Sequence, residues 1–418
     1  MDEIIQFIIL INFVFSSIFF IKKKQYAHPY IIVNVVFFLP LFFSLFRLSD
    51  LQENSWDLKT YIIIIYTLIG WNGLFFISAF LSSKKKNIQF ISNISSTHKI
   101  IFITFTLVVL FLFLLSNYIQ TGMILVYKNP TLADEIHAEF PQGIRLFARM
   151  ILLSVILLYI LYYKYRTKYI LLLLLIMIFL PLTRLSRFDL FMSVAAIVIL
   201  HYYYPIFKFN KKKVLLCLLL FSFLAVLITT LTQSRMNQGG RYQLQYAKII
   251  QWNSDLSSPV FPILYGYFSL SFENFDRYVR LNDNKIYYNL GILEFLYVGI
   301  FKLNLFMDDF KPINYSKMYQ PVSTAATVPT ILIIFYRDFG LLLSFFFILG
   351  FGIFWLILYR LSFLSLSWNL TYVIFSSAFS LASFQPTVFA PMIFQQILMI
   401  FLLVSIANKY YRKKVIIS

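Results

Sequence analysis

The sequence predicts an all-α polytopic integral membrane protein, and three features carry that prediction. Hydrophobic residues make up 60% and charged ones 13% of the 418 residues, outside the ranges of soluble globular domains. Apolar runs long enough to cross a bilayer recur from end to end. Those runs lack the alternation of a barrel, and backbone groups in hydrocarbon must pair within their own segment, which leaves helices. The single cysteine, Cys217, lies inside an apolar run, so disulfides are excluded and thiol–metal chemistry is disfavoured. The chain opens Met-Asp-Glu without a basic segment, and no small-residue cleavage site follows, so the first run reads as a retained helix.

Eleven spans are expected, near 4–21, 30–48, 60–81, 100–119, 146–163, 169–183, 188–205, 214–231, 339–359, 368–384 and 387–408. Three regions follow: spans one to eight in 1–231, a large polar loop in 232–337, and spans nine to eleven in 338–418. Lysine and arginine decide the orientation. Lys22 to Lys24, Lys84 to Lys86 with Lys99, Lys164 to Lys168, Lys208 to Lys213, Arg360 and Lys409 to Lys414 all fall in alternate connections. These hold 19 of the 36 basic residues and none of the 17 acidic ones. The face they share reads as cytoplasmic, with the N-terminus and the large loop outside and the C-terminus inside. The net charge of +19 is therefore a topology signal rather than a sign of nucleic-acid binding.

The large loop is the candidate seat of chemistry. Its cations are Arg235, Arg241, Lys248, Arg277, Arg280, Lys285, Lys302, Lys311 and Lys317, with Arg337 at its far edge. Within it, 259–272 and 289–306 are apolar enough for short interfacial helices, with Tyr265, Tyr267, Tyr287, Tyr288 and Tyr297 suited to the headgroup zone. The apolar piece Val328 to Tyr336 is too short to span roughly 30 Å at about 1.5 Å per residue, so it reads as re-entrant or surface-lying.

Four constellations stand out, in chain order. Thr183 to Asp189 joins spans six and seven and carries Arg184 and Arg187 at i,i+3, one face of a helix and a fair clamp for pyrophosphate. An Arg187–Asp189 pair or snorkelling is the structural alternative. Gln233 to Tyr242 puts Arg235, Arg241 and the Gly239-Gly240 turn at the membrane boundary, where headgroup anchoring is the alternative to a lipid-linked substrate. Glu273 to Arg280 pairs Glu273 with Arg277 and Asp276 with Arg280 at i,i+4, the spacing of helix-surface ion pairs. An acid left unpaired there would instead serve as a general base on a sugar hydroxyl. Phe335 to Gly340 opens span nine, with Tyr336 and Arg337 beside the large loop, Asp338 placed to cap the helix and Gly340 to allow close packing.

Histidines 28, 98, 137 and 201 have no metal-ligand spacing, and no zinc, P-loop, GxSxG or dinucleotide motif is present. No metal or cofactor is expected. Chemistry on the outer face, where ATP is absent, needs a substrate that is already activated.

The layout resembles the Wzy-type O-antigen and capsule repeat-unit polymerases of the bacterial inner membrane. Thr183-Arg184-Leu-Ser-Arg187 is similar to the arginine-bearing hairpin of that family, and Arg235 through Arg241 to its arginines at the opening of the large loop. Tyr336-Arg-Asp338-Phe-Gly340 with the apolar run to Gly350 is similar to its helix entry after that loop. Fewer than thirty residues carry the likeness in motif, and Arg280 with Gly291 matches an Arg-x10-Gly spacing only once. The resemblance implies periplasmic glycosyl transfer from a glycan on undecaprenyl pyrophosphate to a lipid-linked repeat, without metal. It further implies Arg184, Arg187, Arg235 and Arg241 on pyrophosphate, with Arg277, Arg280, Tyr242, Tyr336 and Arg337 around the substrate. Glu273 and Asp276 become candidate bases. Partners would be membrane lipids and the pathway's chain-length regulator, flippase and ligase. A flippase or other transporter, an O-antigen ligase and an accessory subunit are the competing readings. A carrier would place charge near midplane, whereas these charges lie toward one face, and 232–337 lacks the histidine of the ligases.

Overall fold

The computed structural model describes residues 1–23, 25–81, 94–121, 149–184, 186–206, 247–254, 260–282, 320–322, 328–384 and 387–417. Among them there is no strand, only an isolated bridge between Ser49 and Trp252, and the protein is a helical one with the apolar helices of a membrane protein. Among the described residues, five helices are long and apolar enough to cross a bilayer: Asp2–Lys23 (α1), Leu58–Phe80 (α3), Ser96–Ile119, Leu332–Leu361 (α10) and Pro391–Tyr411. Shorter apolar helices are Pro29–Ser44 (α2), Ile151–Tyr165 (α5), Lys168–Thr183 and Phe188–Tyr203. By backbone geometry Ser96–Thr121 is α4, Lys168–Phe179 is α6 and Arg187–Tyr203 is α7. Val260–Phe268 (α8), Leu270–Leu281 (α9), Leu366–Phe379 (α11) and Pro391–Ile417 (α12) complete the set. The expected span 214–231 and interfacial helix 289–306 lie outside the described residues.

Two compact units divide the chain. The first takes Met1–Lys85, Gln243–Arg360 and Ala378–Phe394, and the second Lys86–Tyr242, Leu361–Ser377 and Gln395–Ser418. In the first unit, α1 carries Asp2 and Glu3 in its opening turn and Lys22 and Lys23 in its last, the arrangement a helix dipole favours. Its two ends meet different partners. Asp2 pairs with Arg47, while Lys23 donates to the carbonyls of Ala79 and Phe80 at 3.4 and 3.3 Å. His28 caps α2, its Nδ1 accepting from the Tyr30 N–H at 3.1 Å, and Pro29 follows where a missing N–H costs nothing. Asp57 caps α3 by accepting from the Lys59 N–H at 2.8 Å.

Both α2 and α3 widen into a π-helical turn, Asn34–Phe38 and Leu68–Gly73. The two turns are joined by Asn34 donating to the Asn72 amide oxygen at 3.2 Å, a buried amide pair that satisfies polar groups in apolar surroundings. Around it, Trp71 donates its indole N–H to the Ile348 carbonyl at 2.8 Å. A Cβ on Gly352 would stand 3.0 Å from the Gly70 carbonyl oxygen and 3.1 Å from the Trp71 ring, so any side chain there would push these close neighbours apart. Gly352→Val is expected to lower the melting midpoint in detergent by several degrees, since overpacking costs about 1–3 kcal/mol.

Of the expected re-entrant or surface-lying piece Val328 to Tyr336, the part from Leu332 on forms the buried start of α10. Residues Leu332 through Phe339 are all buried, and α10 breaks at Gly340, with φ 65° and ψ −171°. That conformation is essentially restricted to glycine. Gly340 is thus needed for its backbone freedom rather than for packing alone. The Ser344 hydroxyl reaches the Phe335 carbonyl across the break at 3.0 Å. Ahead of the helix, Ile331 N–H donates to the Ala382 carbonyl at 2.9 Å.

In the second unit, α5 is buried on every side from Ile151 to Leu161, as expected of a helix apolar all round. The Tyr159 hydroxyl lies 3.1 Å from both His201 Nδ1 and the Tyr204 carbonyl. Tyr204 donates to the Asn369 amide oxygen at 2.8 Å. At the start of α7, the Ser186 hydroxyl donates to the Asp189 carboxylate at 2.8 Å.

Candidate functional site

The four charged side chains of α9 meet the connection between α2 and α3. Glu273 and Asp276 are fully buried. Glu273 Oε2 accepts from the Trp56 indole N–H at 2.8 Å and Oε1 from the Glu53 backbone N–H at 3.1 Å, with Arg277 Nε at 4.0 Å. Asp276 Oδ1 accepts from the Asp57 N–H at 2.7 Å and Oδ2 from Arg280 Nε at 2.6 Å. The two arginines then donate outward to carbonyls of the same connection, Arg277 to Leu51 at 2.9 Å and Arg280 to Ser55 at 2.6 Å. Two helical turns therefore fold a connection more than two hundred residues away, giving its backbone groups charged partners.

A second layer locks the same end. The Arg47 guanidinium donates to Asp2 at 2.8 and 3.1 Å and lies 5.2 Å from the centre of the Trp56 ring. The Tyr61 hydroxyl also bonds to Asp2. Sequence reading missed Asp2, Arg47 and Trp56. The available signal was that all three lie on the face assigned to the large loop, with Arg47 alone at the end of an apolar run.

Both spaced pairs of α9 form as ion pairs. Every carboxylate oxygen has a donor and neither acid reaches solvent, so Glu273 and Asp276 present no open face for taking a proton from a sugar hydroxyl. Their work in this arrangement is to hold Arg277 and Arg280. Those arginines remain 24% and 38% exposed at the side chain, a pair of fixed cations at the rim.

Burial raises the Glu273 carboxyl above its ordinary 4.5, against the lowering effect of the Trp56 and Glu53 hydrogen bonds. Burial would lower the Arg280 guanidinium, but the hydrogen bond and charge of Asp276 outweigh it and raise it. The folded protein holds the Glu273 proton more tightly than the unfolded chain does. From this group, stability is greatest below the unfolded value of 4.5 and declines as pH rises from there through the raised folded value. Glu273→Gln should flatten that decline in melting midpoints measured upward from pH 4; an unchanged slope would assign it to other groups.

Tyr336 and Arg337 belong to the buried part of α10 and do not line an open surface. The Tyr336 ring meets Phe275 at 6.3 Å and Tyr278 at 6.2 Å, edge-on, and so backs onto α9. Arg337 Nε donates to its neighbour Asp338 at 2.6 Å, so Asp338 serves as a counter-ion to a buried cation. Asn274 joins the pieces, donating to the Val328 carbonyl at 3.1 Å and accepting from the Val322 N–H at 2.8 Å. Tyr265, expected at the headgroups, is buried instead. Its hydroxyl accepts from the Leu48 N–H at 3.1 Å and bonds to Gln52, and its ring packs on Trp252. A tyrosine with hydrogen-bond partners inside the protein has no need of the interface.

Arg184 closes the 3₁₀ turn Leu180–Arg184 and Arg187 opens α7, but their side chains lie outside the described set. Arg235, Arg241 and Tyr242 lie outside the described residues altogether. Among the described residues, no three His, Cys, Asp or Glu side chains come together as metal ligands do. Compared with protein-family models, with curated proteins and with solved structures, the chain matches none.

Proposed function

We propose that this chain is a glycosyltransferase that polymerises undecaprenyl-pyrophosphate-linked oligosaccharide repeats into O-antigen or capsular polysaccharide. In this reading it spans the bacterial inner membrane eleven times, N-terminus and large loop outside, C-terminus inside. The observation that carries it is the α9 clamp, two arginines fixed at a rim by buried carboxylates in the chain's main polar loop. Cleaving a sugar–pyrophosphate bond leaves negative charge on the lipid pyrophosphate. Arginine, always protonated and forked, stabilises such charge without metal or nucleotide. The family resemblance adds Arg184, Arg187, Arg235 and Arg241 as further candidate ligands of pyrophosphate, and the base that takes the acceptor proton is unassigned.

The test is extension of a lipid-linked repeat by the purified protein. Activity should persist in excess chelator, and loss on chelation would overturn the metal-free scheme. Arg235→Ala and Arg241→Ala should each abolish extension at normal protein levels; wild-type chain lengths would remove them from the site. Arg280→Lys should keep the Asp276 ion pair and the fold yet lose about tenfold or more in rate, because lysine cannot present the planar fork.

A further inference from the structure

The other notable charge cluster among the described residues lies in the second unit. Lys99 stands in the first turn of α4, Lys164 in the last turn of α5, Arg166 at the left-handed cap of α5 and Lys168 at the start of α6. The Lys99 ammonium lies 4.9 Å from the centre of the Tyr165 ring and 5.2 Å from that of Tyr169. The Lys164 ammonium lies 5.8 Å from the same Tyr165 ring. Asn408 of α12 is hydrogen-bonded to His98, which brings Lys409 to this end as well. No aspartate or glutamate occurs in 82–99, 160–168, 204–213 or 405–418.

The helix ends add to the imbalance. Thr167 caps α6 without a side-chain bond, and its first turn holds Lys168 and no acid, so a lysine faces the positive pole of the helix. Next to these cations lies exposed apolar surface: Ile100 on α4 and Leu172, Leu175 and Ile176 on α6. Tyr169, Tyr410 and Tyr411 are exposed at the same end. Cations above an apolar face, with tyrosines at the boundary, match a phosphate carried on acyl chains. A free phosphate would make no use of the apolar part.

We propose that Lys99, Lys164 and Lys168, flanked by Tyr165 and Tyr169, form a binding site for the phosphate of an anionic phospholipid headgroup. The site rests on the membrane reading alone and is independent of the polymerase reading.

The full-length protein in phosphatidylcholine nanodiscs, with and without phosphatidylglycerol, provides the test, with lipid retained after detergent extraction counted by native mass spectrometry. Phosphatidylglycerol should be retained over phosphatidylcholine. The Lys99→Gln/Lys168→Gln double variant should lower that preference on the order of tenfold with an unchanged melting midpoint in phosphatidylcholine. A control with the same charge change, Lys22→Gln/Lys23→Gln, should leave the preference intact. Three results would overturn the site: equal retention of the two lipids, an equal loss in the control, or displacement of the lipid by inorganic phosphate, which would mark a free-anion site.

Discussion

Gly340→Ala is expected to destabilise the protein by about 1–3 kcal/mol, and Gly340→Val by more. Gly340 sits at φ 65°, ψ −171°, where a Cβ clashes with the backbone, and no other described residue joins the buried turns of α10 to its long apolar part. The strain cannot relax locally. Straightening the break would move Phe335 away from the Ser344 hydroxyl and shift the Tyr336 ring off Phe275 and Tyr278 of α9. Gly350 provides the control: a Cβ there meets nothing within 4 Å. Gly350→Ala should therefore be neutral or stabilising by up to about 1 kcal/mol. Melting midpoints in detergent and protein levels in membranes distinguish the two. Equal behaviour of both variants would mean that the chain does not break at Gly340.

Removing the Glu273 carboxylate should be comparably severe. In Glu273→Ala the buried Trp56 indole N–H and the Glu53 N–H both lose their acceptor. A buried donor left unsatisfied costs about 1–3 kcal/mol. Trp56→Phe removes one of those donors together with its need for an acceptor, so the two substitutions should not add. A double-mutant cycle should give a coupling of about 0.5–3 kcal/mol. Additive losses would show that the indole and the carboxylate do not meet.

Much of the helical framework was legible because lipid demands long apolar runs. The expected spans 4–21, 60–81 and 100–119 fall on α1, α3 and α4 within a few residues. The ion pairs of α9 were legible too, since i,i+4 spacing is a local property. What α9 holds was not. Glu273 binds Trp56 and Glu53 across more than two hundred residues, and no periodicity reports such a partner. Tyr265 looked like a headgroup residue because an apolar stretch with tyrosines has the same composition whether it meets lipid or protein. The break at Gly340 was hidden for a similar reason: one glycine in an apolar run reads as close packing until its φ is known. The asparagines at positions 34 and 72 lie 38 residues apart and pair only because two helices both widen there.

The function proposed for the chain is extension of surface polysaccharide. It is tested most directly by a gel of that polysaccharide from a strain lacking the gene. A band of core plus one repeat in place of the long ladder is the expected result, because export and attachment of a single unit survive while polymerisation is lost. Loss of every repeat, the first included, would contradict the account and point to a flippase or ligase.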